Sequence, residues 1–306
     1  MTTRRMSITT PLVLVTLMLS VCVAGLVTTQ HAQDAETTRK LWDTAFIDQG
    51  KKSASNKPAR RNYRIVTPSV PVSGVTPDSV VGITLWRLRP SRGVEAGERI
   101  ITHSGPGSTE WFPQRVSSNA KLTEGDRIRI SIEAARSGYL YVVDQEQYAD
   151  GSTGEPYLIF PTTRTRGGDN SVRTGRVIEI PAQDDDPPYF TLKRSRADHA
   201  GEIMSVLVSS TPIQTLTITD KAQRLSGETF ALWEKSWGAA SGKLEMENGE
   251  GKPWTKQEKE AGADGTRSLK ADEPAPQTIY YRPGAGASPV LVKVQLKYAT
   301  GRQPVK

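Results

Sequence analysis

The stretch Arg127-Ile-Arg-Ile-Ser-Ile-Glu133 alternates polar and apolar residues without interruption. Successive side chains of a β-strand point to opposite faces, so the three isoleucines share one face of such a strand. These isoleucines are Ile128, Ile130 and Ile132. The other face carries polar side chains that we expect to point outward, namely Arg127, Arg129, Ser131 and Glu133. The stretch therefore predicts a strand that buries one face against a core.

Short runs rich in β-branched and aromatic residues lie on both sides of this stretch. They span residues 80–88, 139–143, 157–160, 176–180, 189–192 and 203–208. Turn-forming pairs such as Asp150-Gly151 and Gly167-Gly168 stand between some of these runs. Short strands at this spacing are typical of antiparallel folds. The sequence predicts a mainly β protein, built as an antiparallel β-sandwich of the immunoglobulin-like or a related type.

The hydrophobic period changes after residue 220. Phe230, Trp233 and Trp237 stand at i, i+3 and i+7, which places them on one side of a helix. We predict a helical and polar insertion over residues 220–276, in which Ser226 caps the first helix and residues 254–261 form a second. Strand-like alternation returns at 290–298, so residues 277–299 are expected to rejoin the sheet. The β-rich domain is therefore predicted to span residues 65–306.

The N-terminus has the pattern of an export signal. Arg4 and Arg5 precede an apolar stretch that carries no charge until Asp34. We predict a cleaved signal peptide over residues 1–25, and two alternatives stay open. An uncleaved N-terminal anchor is one, because residues 8–27 are long enough to span a membrane. The other is a lipoprotein in which Cys22, the single cysteine, is lipidated. All three predict export to the periplasm or the extracellular side.

The charge of the chain is unevenly distributed. Its formal charge is +7, from 40 Lys and Arg against 33 Asp and Glu. Residues 36–64 hold eight basic and three acidic residues, a net +5, and residues 26–64 are predicted to form a basic flexible linker. Residues 121–199 hold 11 basic and 13 acidic residues, a net −2. The positive charge therefore belongs to the flanks of the domain, and nucleic acid is not an expected partner.

The sequence lacks the residue patterns that most catalytic mechanisms require. The histidines are His31, His103 and His199, which we interpret as solvated loop residues. No nucleophile elbow or phosphate-binding loop occurs. Acidic residues flank one predicted hairpin turn, namely Asp144, Glu146, Asp150 and Glu155, and a second acidic run covers 184–186. Oxygen-rich loops can bind calcium, but neither run has the spacing of an EF-hand, and a hairpin tip and a solvated turn are the simpler interpretations. We therefore predict no catalytic residues, no metal site and no cofactor.

One loop has the composition of an anion-binding site. Residues 161–176 combine glycines and hydroxyl side chains with four arginines, which are Arg164, Arg166, Arg173 and Arg176. Guanidinium groups bind phosphate and carboxylate groups through paired hydrogen bonds. Arginines are also ordinary surface residues, so a plain surface loop is the alternative interpretation.

A series of motifs in residues 80–212 resembles a known bacterial family. The block Arg136-Ser-Gly-Tyr-Leu-Tyr-Val-Val143 is followed by Tyr157-Leu-Ile-Phe-Pro161. Asn170 and Gly175 then precede Ile178-Glu-Ile-Pro181, and a last apolar strand follows at 203–208. This order resembles the family of the domain of unknown function numbered 4384 (DUF4384). The resemblance implies an exported β-rich domain and carries no catalytic residues with it.

These observations favour an exported cell-envelope protein that acts as a non-catalytic binding or interaction module. The expected partner is an envelope protein or polymer, and contact with the membrane is expected only through the N-terminal segment. An anion- or glycan-binding module that uses the arginine loop is the alternative. A carboxylate-dependent hydrolase is a further alternative, which requires a cleft where carboxylates meet.

Overall fold

The computed structural model describes residues 63–65, 70, 72, 74–102, 109–238, 241–264 and 276–299. The predicted signal segment, Cys22 and almost all of the basic linker lie outside these residues. The strands in chain order are β1 Tyr63–Ile65, β2 Val80–Pro90, β3 Ile100–Thr102, β4 Thr109–Val116, β5 Lys121–Leu122, β6 Arg127–Ala134, β7 Gly138–Tyr148, β8 Tyr157–Phe160, β9 Ser171–Val172, β10 Val177–Ile180, β11 Phe190–Thr191, β12 His199–Ser209, β13 Gln223–Arg224, β14 Gly242–Met246, β15 Thr278–Tyr281 and β16 Val290–Tyr298.

Two helices lie late in the chain, α1 at Gly227–Trp233 and α2 at Lys256–Asp264. A π-helical turn, Glu234–Gly238, continues α1. Ser226 caps α1, because its hydroxyl accepts a hydrogen bond from the Thr229 N–H at 3.5 Å. Neither helix, in the part of the chain that the structure describes, has the length and apolarity needed to cross a membrane.

The strands form two sheets that pack face to face. In the first sheet the order is β1-β14-β15-β2-β4-β3, and β2 also pairs with β6, which carries β10 and β11. In the second sheet the order is β13-β8-β7-β12-β16-β5, and β9 pairs with β7. The pairings are antiparallel except for that of β16 with β5. The predicted mainly β fold with a sandwich architecture is confirmed.

The space between the sheets is filled by side chains that the alternation of polar and apolar residues predicts to be buried. Ile128, Ile130 and Ile132 of β6 are almost completely buried there. The facing sheet contributes alternate residues of β7, β12 and β16, which are Leu140, Val142, Met204, Val206, Val208, Val290, Val292, Val294 and Leu296. Burial of this apolar surface is the main driving force for folding.

A second apolar cluster joins α1 to the outer face of the second sheet. Phe230 and Trp233 pack against Tyr141, Leu207 and Leu291. The rings of Trp233 and Trp237 stack with their centroids 5.5 Å apart. The single helical side predicted from these aromatic residues is therefore confirmed as a packing surface.

The predicted insertion also contains a strand that periodicity did not reveal. β14 lies between α1 and α2 and pairs with both β1 and β15. The segment 242–246 reads Gly-Lys-Leu-Glu-Met, in which only Leu244 and Met246 are apolar. Such a short alternation is too weak to identify a strand, so the pairing is determined by its neighbours. β1 begins at Tyr63, two residues before the predicted start of the domain.

The polar face of β6 is covered rather than solvated. Arg129 is 1% exposed, and Glu133 and Ser131 are also buried. Trp254 and α2 lie over this face, so the side chains point away from the core but do not reach water. The Arg129 guanidinium donates to Glu179 Oε2 at 2.8 Å, and the Trp86 indole N–H donates to Ser131 Oγ at 2.7 Å.

Positive charges and indole rings alternate across this covered face. The Arg129 guanidinium lies 5.6 Å from the Trp254 ring centroid, and that of Arg115 lies 5.2 Å from Trp86. Arg115 also forms an ion pair with Glu258 of α2. Cation–π contacts and hydrogen-bonded ion pairs offset the cost of burying these charges.

Replacing Arg129 with Met should lower the free energy of unfolding by about 3–5 kcal/mol, since it leaves the buried Glu179 carboxylate without its cation. Equilibrium urea denaturation of the purified protein measures this loss. The matched control is R224A, which breaks the exposed pair between Arg224 and Glu155 and should leave stability nearly unchanged. Equal stability of R129M and R224A would show that the buried pair contributes nothing.

Candidate functional site

The arginine loop, residues 161–176, is held in place at both ends. At its start, the Thr163 N–H donates to the Thr219 carbonyl at 2.8 Å. The Asn170 side-chain amide donates to the Leu140 carbonyl at 3.1 Å, and the Gly175 N–H donates to the Ala134 carbonyl at 3.2 Å. The loop is therefore fixed to β7 and to the end of β6.

The four arginines of the loop differ in their exposure and in their partners. Arg164 and Arg173 are exposed, whereas Arg166 and Arg176 are partly buried. Arg166 Nη2 lies 3.9 Å from an Asp169 carboxylate oxygen. Burial opposes it, yet the Ser171 hydrogen bonds and the charges of Arg166 and Arg173 lower the pKa of Asp169. Arg166 and Arg173 therefore share one counter-charge.

The acidic run at 184–186 lies against this loop. Asp185 Oδ1 accepts the Arg166 N–H at 3.0 Å, and its Oδ2 accepts the Ala182 N–H at 2.6 Å. The run thus includes a carboxylate with a structural role in bracing the loop. It also brings negative charge close to the predicted anion-binding residues, which reduces the local excess of positive charge.

A second group of ionisable residues, which lie far apart in the sequence, meets at one end of the sandwich. We name it the carboxyl cluster: Asp144, Glu146, His199, Glu202 and Tyr298. The register of β7 with β12 brings it together, since Glu146 stands directly opposite Glu202 and Asp144 opposite Met204. Leu140 and Val142 lie on the same face of β7, so the cluster continues the core-facing row toward the sheet end.

His199 is 0% exposed, so the interpretation of this residue as a solvated loop histidine is wrong. Its Nδ1 accepts the Ser195 backbone N–H at 3.2 Å. Its Nε2 lies 2.9 Å from the Gly201 carbonyl and 3.2 Å from Glu202 Oε1. These partners fit the neutral ring that carries its proton on Nε2. The ring also packs edge-on against Tyr298, with centroids 5.1 Å apart.

β12 and β16 approach closely beside this histidine. β12 is bulged between His199 and Gly201. A Cβ atom at Gly201 would collide with the Leu296 carbonyl of β16. Glycine at this position therefore allows the two strands to pair while the bulge turns the His199 ring inward.

The three carboxyl groups have different charge states. Burial, together with the charges of Glu202 and Glu146, raises the pKa of Asp144 to about 7. Burial and the Glu146 charge also raise the pKa of Glu202 to about 7, although the Tyr298 hydroxyl opposes this. Partial burial would raise the pKa of Glu146, but hydrogen bonds from the Ser195 and Tyr148 hydroxyls lower it overall. One ionised carboxylate therefore lies beside two carboxyl groups that hold protons below pH 7.

Two oxygens in the cluster are left without partners. Asp144 Oδ1 and Glu202 Oε2 are buried and accept no hydrogen bond from any residue that the structure describes. Glu202 Oε1 accepts the Tyr298 hydroxyl at 2.8 Å. Burial and the Glu202 charge raise the pKa of Tyr298, so this hydroxyl remains a donor. A carboxyl group with an unpaired buried oxygen is more stable in its neutral form.

Residues 193–198 form a cover loop over the cluster. The Arg194 guanidinium donates to the carbonyls of His199, at 3.0 Å, and Ala299, at 2.8 Å. Ser195 Oγ donates to Glu146 Oε2 at 2.7 Å. The Arg196 guanidinium lies over the Tyr148 ring at 4.0 Å and pairs with Asp198. The loop is therefore tied to all three strands beneath it.

The arrangement of Ser195, His199 and Glu202 differs from a nucleophile–base pair. A serine nucleophile needs a hydrogen bond to an imidazole nitrogen that is free to accept its proton. Here the Ser195 hydroxyl lies 3.4 Å from Nδ1, which already accepts the Ser195 N–H, and it donates to Glu146 at a shorter distance. No group of three or more His, Asp or Glu in the described ranges has a geometry that could hold a metal ion.

The sequence placed one acidic residue of the hairpin correctly, although that residue lies outside the carboxyl cluster. Asp150 does lie at the tip of the β7–β8 hairpin, where its carboxylate accepts the Ser152 N–H at 2.9 Å. Asp144 and Glu146 lie deeper and face inward. The alternation of β7 could have identified them, because Asp144 and Glu146 lie on the same face of this strand as Leu140 and Val142. Their meeting with Glu202 depends on a register that a single sequence does not specify.

The family comparison agrees with the predicted resemblance. Residues 121–212 match the sequence model of a family described as Domain of unknown function (DUF4384). The match runs from β5 to just beyond β12, a narrower range than the predicted 80–212. It includes the arginine loop, the cover loop and every cluster residue except Tyr298. Neither the curated proteins nor the solved structures contain a match to the chain.

Replacing Tyr298 with Phe should lower the free energy of unfolding by about 1–2 kcal/mol, because Glu202 Oε1 loses the hydroxyl donor that lies 2.8 Å away. Urea denaturation at pH 6 measures the change. Tyr157→Phe is the matched control, since Tyr157 is 43% exposed and should tolerate the loss of its hydroxyl. If both variants unfold at the same urea concentration, the hydroxyl of Tyr298 does not stabilise the cluster.

Proposed function

We propose that this chain is a binding module exported to the bacterial cell envelope, and that it acts without chemistry of its own. The environment of His199 supports the proposal that the protein is not a catalyst. Both ring nitrogens are engaged by groups of the protein, and the ring is completely buried. A general base must reach the proton of a bound substrate, and this imidazole does not.

Export is proposed from the N-terminal sequence. Two arginines, an apolar stretch and small residues around position 25 form the pattern that supports it. The +5 segment at 36–64 then separates the apolar stretch from the sandwich. Such a segment suits a tether that leaves the domain free to reach an envelope protein or polymer.

Purified protein should co-sediment with isolated envelope polymer, such as peptidoglycan, and release no soluble fragments from it. Sedimentation measures retention, and mass spectrometry of the supernatant detects fragments. Glu146→Gln is the decisive variant, since Glu146 is the partly exposed carboxylate whose pKa is lowered by the Ser195 and Tyr148 hydroxyls despite its partial burial. Fragments released by the natural protein but not by E146Q would overturn the proposal and establish a carboxylate-dependent hydrolase.

A second candidate function is anion or glycan binding by the arginine loop. The observation that favours it is the exposure of Arg164 and Arg173 on a loop that is fixed at both ends. A loop whose backbone is already anchored loses less conformational entropy on binding than a mobile one. The Asp185 carboxylate, which lies against the same loop, opposes anion binding because it supplies negative charge there. Anion binding by the loop therefore depends on the positive charges of Arg164 and Arg173.

If the arginine loop binds, the double variant R164A/R173A should lose most of its retention on an anionic polymer. Removing two charge-assisted contacts weakens binding by roughly tenfold or more. The matched control is R89A/R92A, which removes the same charge from two exposed arginines outside the loop. Equal retention of the two double variants would rule out the loop as the binding site.

A further inference from the structure

The cover loop contacts Glu146 and His199 directly and reaches Glu202 through the Tyr298 hydroxyl. Ser195 contacts Glu146 through its hydroxyl and His199 through its N–H. The Tyr298 hydroxyl donates to Glu202 Oε1 at 2.8 Å and lies 3.3 Å from the Lys193 carbonyl of the loop. We propose that the cover loop is a pH-sensitive latch, which is closed while Asp144 and Glu202 hold protons and opens when they lose them. This inference does not depend on the proposed function.

The charged groups that face the cluster come from every element packed around it. Strand β7 contributes Asp144, Glu146 and Tyr148, β12 contributes His199 and Glu202, and β16 contributes Tyr298. The cover loop contributes Arg194, Arg196 and Asp198, together with Lys193, whose side chain is exposed. Glu124, between β5 and β6, accepts the Arg194 N–H at 3.4 Å. The surroundings are therefore mostly acidic, apart from the three basic residues of the loop.

Neither arginine neutralises the two proton-holding carboxyl groups. The Arg194 guanidinium is engaged by the His199 and Ala299 carbonyls and lies 4.9 Å from the Tyr298 ring centroid. The Arg196 guanidinium is paired with Asp198 at 2.5 Å. Ionised Asp144 and Glu202 would therefore gain no direct cation from the closed loop.

Ionisation of Asp144 and Glu202 places three like charges, with Glu146, on neighbouring strands of one sheet. Glu146 and Glu202 are direct cross-strand neighbours, and like charges at such positions repel. Asp144 Oδ1 and Glu202 Oε2 have no donor in the closed state, so their negative charge would be unsolvated. Displacement of the loop admits water to these oxygens, which relieves both penalties.

The direction of the pH effect follows from the raised pKa values of Asp144 and Glu202. In the closed state both carboxyl groups have a pKa of about 7, whereas solvated Asp and Glu have values of roughly 4. Protonation therefore favours closure. The stabilisation is complete below roughly pH 4 and is lost as the pH rises through 7. For one such group, the opening constant should rise roughly tenfold between pH 6 and pH 8.

Hydrogen exchange of the purified protein, measured by mass spectrometry, tests the latch. The informative amides are those of Ser195 and His199, which donate to the His199 ring and to the Arg196 carbonyl. After correction for the intrinsic rate at each pH, their exchange should rise roughly tenfold or more between pH 6 and pH 8. Amides of residues 203–208 in β12 should keep constant protection, which separates loop opening from global unfolding.

Two variants connect this rise to the carboxyl groups. Asp144→Asn and Glu202→Gln each remove one titrating group and keep its shape, so each should reduce the rise. Glu155→Gln is the control, because it removes an exposed carboxylate from the same hairpin and should leave the rise intact. Equal corrected exchange at pH 6 and pH 8 in the natural protein would overturn the latch, even if a variant failed to fold. An undiminished rise in both cluster variants would overturn it as well.

Discussion

The antiparallel register between β7 and β12 determines where both the core and the carboxyl cluster lie. Val142 stands opposite Val206, which fills the space between the sheets. Two positions further along the same face, the row reaches Asp144 and then Glu146 opposite Glu202. A shift of one residue would expose the apolar side chains and would separate the carboxyl groups. The burial of the core therefore fixes the acidic contacts at the end of the same strands.

The outer face of the first sheet is buried by a segment that lies far away in the sequence. Alternation identified the correct face for Arg129 and the isoleucines beside it, but it did not identify what lies over that face. A segment more than 100 residues away in sequence provides Trp254 and Glu258 as the cover. Because charged residues are usually solvent-exposed, their pattern alone predicts exposure. The buried pair of Arg129 with Glu179 is a tertiary property that local sequence does not encode.

The sequence therefore predicted the architecture better than the candidate site. Clear alternation over 127–133 and 290–298 identified two strands and their buried faces, and the family resemblance was confirmed over 121–212. Strand β14 was missed because its alternation is brief. The site was harder, since His199 and Glu202 owe their burial to a bulge and a cover loop. The residues next to His199 and Glu202 in the sequence predict neither the bulge nor the cover loop, so the burial of these two residues is evident only in the structure.

The carboxyl cluster is an arrangement that stability alone would not favour. An apolar pair at the positions of Glu146 and Glu202 would extend the core without repulsion or unpaired oxygens. The protein instead keeps Glu146 ionised through two hydroxyl donors and keeps Glu202 neutral below pH 7. Environments that push neighbouring carboxyl groups to different charge states occur at functional sites. The change from Val142 to Asp144 along one face of β7 therefore marks the boundary between the part of the sandwich that stabilises the fold and the part that responds to protons.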